Sequence, residues 1–285
     1  MNFDNIFKEI EKADPEVSGR LDTRRSALKN FANFGGKLAL TAVPLAFGSM
    51  FKKAYAGTTS TKEDVLAVFN YALTLEYLEA AFYSQALLSP NLLPAGPINQ
   101  AIQLISAHET AHVNFIKSAI EAAGGTAVES PTFDFSGGKG SGEGPFKTAF
   151  TDLALFLAVS QTFEDTGVRA YKGRAEELLG AGELLTAALQ IHSVEARHAS
   201  YIRYLRKQAG SGVGNLKPWI TGNMSGIGTD LVQASYNGEE VTSQASIDII
   251  NINGFPISAD AASEAFDEPL APADVLKIID GFLVP

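Results

Sequence analysis

The chain has 285 residues, no cysteine and a formal net charge of −10, and 46% of its residues are apolar. The lack of cysteine excludes disulfides, thiolate chemistry, iron–sulfur clusters and Cys-ligated zinc. Residues 1–56 carry 9 Lys/Arg against 6 Asp/Glu and the remainder 13 against 26, so the body of the chain lacks the basic surface that nucleic-acid binding needs.

The first feature in chain order is an address. Thr23-Arg24-Arg25-Ser26-Ala27-Leu28-Lys29 resembles a twin-arginine export signal. A moderately apolar stretch from Phe31 to Phe51 follows, and its Gly35, Gly36, Pro44 and Gly48 disfavour a spanning helix. Ala54-Tyr55-Ala56 is a small-x-small site at which a signal peptidase would cut before Gly57. The resemblance implies export by the twin-arginine machinery, which carries folded proteins, to the periplasm or beyond. An uncleaved anchor and a surface helix with a chance Arg-Arg pair are the competing readings.

From Thr61 the pattern is helical. Thr61 or Ser60 caps, Glu63 and Asp64 suit the first turn, and apolar residues recur from Val65 to Leu88. After Pro90, Pro94 and Pro97 a second helix is predicted from Ile98 to Ala123, stopped by Gly124-Gly125. Residues 125–145 are rich in Gly, Ser and Pro. Fully extended they would reach roughly 70 Å, against about 39 Å for a 26-residue helix. The segment is therefore long enough to return along a bundle and start a third helix parallel to the second, or to be a floppy loop. Helix three is predicted over Phe146–Leu179 and helix four over Glu183–Ala209, joined by Gly180-Ala181-Gly182. The residues after 210 read as loops, short strands and short helices at 258–266 and 272–282, packed on the bundle. No segment beyond residue 56 is expected to have the apolar length of a membrane span.

The four helices carry, in order, Glu76, Glu109 with His112, Glu164, and Glu195 with His198. A Glu and a His three apart project from one helix face, so one helix offers both to one metal. One Glu, one Glu-x-x-His, one Glu and one Glu-x-x-His make up the ligand set of a four-helix di-metal carboxylate site. In the runs 72–78 and 157–164 that hold Glu76 and Glu164 charge is otherwise scarce, and buried carboxylates are costly unless cations compensate. Tyr83 and Tyr171 follow Glu76 and Glu164 by seven residues, two turns on the same face. They serve either to hydrogen-bond a ligand or relay an electron, or as plain core residues. Glu79 lies almost on the face of Glu76, and either reaches the site; the shared offset to tyrosine favours Glu76. His108 and His192 are candidates for its edge.

Asn70-Tyr71-Ala72-Leu73-Thr74-Leu75-Glu76-Tyr77-Leu78-Glu79-Ala80-Ala81-Phe82-Tyr83, with Ala107-His108-Glu109-Thr110-Ala111-His112, resembles the bacterial ferritin-like domain family that includes desiccation-related proteins. The resemblance covers residues 61–209. It implies an all-α, ferritin-like four-helix bundle with a long crossover between helices two and three and a C-terminal extension. Residues 1–56 would then be the signal region, 57–209 the bundle and 210–285 the extension. It further implies two Fe or two Mn ions held by Glu76, Glu109, His112, Glu164, Glu195 and His198. Oxidation of Fe(II), or consumption of peroxide or O₂ in stress protection, is the expected activity. The long tail argues against a compact storage-cage subunit and leaves a homo-oligomer open. Two rivals stand beside this reading. One is a non-enzymatic stress-associated protein with structural metal or none. The other is a zinc hydrolase using His108-Glu109-Thr110-Ala111-His112, a His-Glu-x-x-His match that leaves most of the second half unused.

Overall fold

The computed structural model describes residues 61–212 and 214–285. The Arg24-Arg25 segment and the Ala54-Tyr55-Ala56 site lie outside the described residues. The fold is mostly helical: α1 (Lys62–Leu88), α2 (Pro97–Ala122), α3 (Leu153–Ala175) and α4 (Glu183–Gln208) form a four-helix bundle.

Helix ends follow local chemistry. Thr61 and Asp64 form a capping box at the start of α1, with Asp64 N–H donating to the Thr61 hydroxyl at 3.2 Å and Thr61 N–H to Asp64 Oδ2 at 2.9 Å. Pro97 opens α2, where its missing N–H costs nothing. Helix α3 starts seven residues later than the sequence predicts. Asp152 caps it by accepting from Ala154 and Leu155 N–H at 2.9 and 3.2 Å, whereas Phe146 is held in turns by its N–H bond to Ser136 O. At its other end α3 gives way after Ala175 to a 3₁₀ turn over Glu176–Leu178. Gly180 and Gly182, at φ +84° and +58°, make the turn into α4.

The 123–152 connection is a true crossover. Asn70 pins its start by donating to Thr126 O and accepting from Val128 N–H, and Tyr77 donates to Val128 O. Further on, Phe135 and Phe150 each stand 5.3 Å from the Phe82 ring, so the chain has run along α1 towards its C-terminal end. Helix α3 then descends antiparallel to α1, with Phe156 against Phe82 and Arg174 over Tyr71, and hence parallel to α2. The segment is ordered by Asp134, whose carboxylate accepts from Ser136, Gly140 and Gly142 N–H. Phe82 is the hub of the core: Phe156 and Phe163 join Phe135 and Phe150 around it at 5.0–5.3 Å. Burying a ring of that size stabilises by about 1.5–3 kcal/mol.

By length and composition α1 is apolar enough to cross a membrane, contrary to the sequence expectation. Its apolar residues Val65, Leu73, Leu75, Leu78 and Phe82 are buried within the bundle, which explains that composition.

The extension holds a two-stranded hairpin, β1 (Ser243–Gln244) with β2 (Ile247–Asp248), then α5 (Ala259–Ser263) and α6 (Pro272–Ile279). It is clamped to α3 and α4 by buried polar groups. Arg169 donates to the carbonyls of Ser235, Asn237 and Glu268 at 2.6–2.9 Å and pairs with Glu239. Arg206 donates to Gly226 and Ser211 carbonyls and to Gln161, whose amide reaches Ser225 O and Tyr236 Oη. Arg203 pairs with Asp165, which also accepts from Tyr236 Oη at 2.8 Å. Gly173 lets the tail approach, since a Cβ there would fall 2.0 Å from Leu270 O. The last residues return to the crossover, with Asp134 N–H bonded to Phe282 O and Val284 N–H to Thr132 O.

Candidate metal centre

Each bundle helix delivers its predicted residues to one level of the core. Glu76, Glu109, Glu164 and Glu195 have no exposed surface, and His112 and His198 are 9% and 5% exposed. Their donor atoms converge as two groups: Glu76, Glu109, His112 and Glu195 form one, and Glu109, Glu164, Glu195 and His198 the other. Glu109 and Glu195 therefore belong to both.

The contacts inside these groups are not ordinary hydrogen bonding. His112 Nδ1 is faced by Glu76 Oε2, Glu109 Oε2 and Glu195 Oε1 at 3.0–3.1 Å, yet a ring nitrogen carries at most one hydrogen. His198 Nδ1 lies 2.8 Å from Glu109 Oε1 and 3.3 Å from Glu164 Oε2 without the geometry of a hydrogen bond. Both oxygens of Glu195, with Glu109 Oε1 and Glu164 Oε2, are buried and without a hydrogen-bond partner. Orphaned buried acceptors facing one another call for a cation between them. Octahedral ligands about 2.1 Å from a common ion lie about 3.0 Å apart along each edge, which is the spacing seen around His112. The donor set fits two metal ions.

The tyrosines are bonded crosswise. Tyr83 Oη on α1 donates to Glu164 Oε1 on α3, and Tyr171 Oη on α3 donates to Glu76 Oε1 on α1. Each anchors the glutamate of the other half, a link that the same-helix offset does not reveal. Burial and the facing glutamate push both phenols well above their usual range, so both keep their protons.

Glu79 is buried but belongs to neither group; of the two α1 glutamates the structure brings Glu76 to the centre. Gly167 leaves room for it, since a Cβ there would lie 3.1 Å from Glu79 Oε1. His192 is directed elsewhere, its Nδ1 standing 3.0 Å from Val168 O. His108 is outside both groups as well, bonded to the far side of His198. No converging group among the described residues holds His108 and His112 together with a third donor, as a His-Glu-x-x-His zinc site requires. The buried Asp165, Arg169, Arg203, Arg206 and Tyr236 are the functional-looking residues that pattern reading missed. Their only signal is an acid directly after Glu164 and arginines within apolar helical runs.

Without metal the centre is a set of acids sharing protons. Burial, aided by Glu195 and opposed by His112, pushes Glu76 up to about 8. Burial likewise holds Glu164 and Glu79 well above the usual carboxylate range. Burial acts downwards on the histidines but the carboxylates outweigh it: Glu164 and Glu109 raise His198 to about 12, and Glu109, Glu195 and Glu76 raise His112. Glu195 moves oppositely, since the two imidazolium groups overcome burial and bring it down to about 2.

These shifts set a pH dependence for the metal-free protein. The raised groups bind protons more tightly folded than unfolded, so their stabilisation is full below the unfolded values of 4.5 and 6.5 and is lost as pH rises through the folded ones. Glu195 has the opposite sign, but its contribution fades only as pH falls towards about 2. Chelator-treated protein is expected to unfold at progressively lower temperature between about pH 5 and pH 9. A melting temperature that climbs over that range would contradict the proton-sharing centre.

Residues 64–208 match the model of the family described as Ferritin-like domain, just over half of the chain. No curated protein matches it. With four helices, a crossover and a buried Glu/His cluster shared among them, the chain belongs to the ferritin-like domain family.

Proposed function

We propose that this is an exported di-metal carboxylate protein that oxidises Fe(II) or consumes peroxide or O₂ in stress protection. Glu76, Glu109, His112, Glu164, Glu195 and His198 would hold two ions. The observation that carries this reading is the pair of converging groups with orphaned buried oxygens. Oxygen and imidazole donors without thiolate suit iron or manganese. When bound, two neighbouring redox-active ions supply one-electron exchange with O₂ or peroxide.

The chain's own residues do the rest. Glu109 and Glu195, common to both groups, fix the spacing of the two positions. Tyr83 and Tyr171 orient Glu164 and Glu76 and hold a proton at Oη beside them. The rings of Phe82 and Phe156 pack edge-on against Tyr83 and exclude water on that side. The twin-arginine-like segment supports export after folding, which allows the centre to be filled beforehand.

Elemental analysis of the protein purified from its native host should find about two Fe or Mn per chain. Removing the metal should abolish Fe(II) oxidation or peroxide consumption. A single zinc, or metal-free protein of undiminished thermal stability, would sink this reading.

A further inference from the structure

We propose that His108 is a positioning residue that locks the ring of His198 and thereby makes the two metal positions unequal; this rests on the di-metal reading. His108 Nδ1 lies 2.9 Å from His198 Nε2. The ring planes differ by 14° and the centroids are 5.2 Å apart, so the imidazoles meet end to end and nearly coplanar. This aligns an in-plane lone pair with an in-plane N–H.

The chemistry dictates the direction of that bond. His198 Nδ1 is the nitrogen aimed at Glu109 and Glu164. For it to present a lone pair to a cation, the His198 proton must sit on Nε2. That N–H requires an acceptor, and His108 Nδ1 supplies it while keeping its own proton on Nε2. Among the described residues His112 Nε2 has no such partner. The imidazole of the Glu164/His198 position is therefore held in orientation from its far side and that of the Glu76/His112 position is not. A partner of this kind typically changes metal affinity by about 10–100-fold.

The test uses the full chain, metal-free, titrated calorimetrically with Co(II) alone. Wild type should bind two ions with two distinct affinities. His108→Phe should weaken one by about 10–100-fold and leave the other unchanged. His108→Asn places a carbonyl oxygen where Nδ1 stood and should restore most of the loss, which a merely space-filling role would not do. Imidazole ¹⁵N spectra of the metal-free protein should show His198 Nε2 protonated and His108 Nδ1 bare. Two unaltered affinities in His108→Phe, an Asn variant as weak as Phe, or a proton on His108 Nδ1 would each overturn the inference alone. Wild type that takes up no Co(II) would overturn the di-metal reading and this inference with it.

Discussion

Glu164→Ala and His198→Ala are each expected to leave one bound ion in place of two, whereas Glu109→Ala or Glu195→Ala should lose both. The difference follows from membership: Glu164 and His198 serve only one group of converging atoms, and Glu109 and Glu195 serve both. The bundle should survive Glu164→Ala. That change strands the buried Tyr83 hydroxyl, at a cost of about 1–3 kcal/mol. It also removes a carboxylate that burial disfavours, which offsets part of the cost. Elemental analysis after equilibration with excess Mn(II) and desalting gives the stoichiometry. Two ions retained in both Glu164→Ala and His198→Ala would eliminate the six-ligand assignment.

Asp165→Ala should destabilise the fold by about 3–5 kcal/mol, because it leaves the Arg203 guanidinium buried and unpaired. Tyr236 Oη would lose its acceptor at the same time. Pairing the change with Arg203→Met should recover much of the loss, since an apolar replacement of a buried pair is often close to neutral. Urea unfolding of the single and double variants checks this. A double variant less stable than Asp165→Ala would show that Arg203 contributes through something other than its charge.

The bundle and the six clustered residues were legible because their signals are local and periodic. Helices α1, α2 and α4 start and stop within a residue or two of their capping and glycine signals. A Glu-x-x-His spacing reports a shared face without knowledge of the partner helices. What stayed hidden depends on distant residues. The crosswise tyrosines and the His108–His198 bond are set by how helices rotate against one another. The start of α3 was misplaced because apolar Phe146 and Ala149 fill turns instead of a helix face. Nothing local to Asp165 marks the Arg203 and Tyr236 that enclose it, which lie 38 and 71 residues away in the chain.

The crosswise phenol bonds make each helical hairpin incomplete without the other. α1 carries the donor for Glu164 and α3 the donor for Glu76. Two separate hairpins could meet in this way only as a dimer, and dilution would take such a centre apart. The crossover makes that encounter intramolecular, at the fixed effective concentration of a tethered pair. The six converging Glu and His residues are accordingly brought together within a single chain.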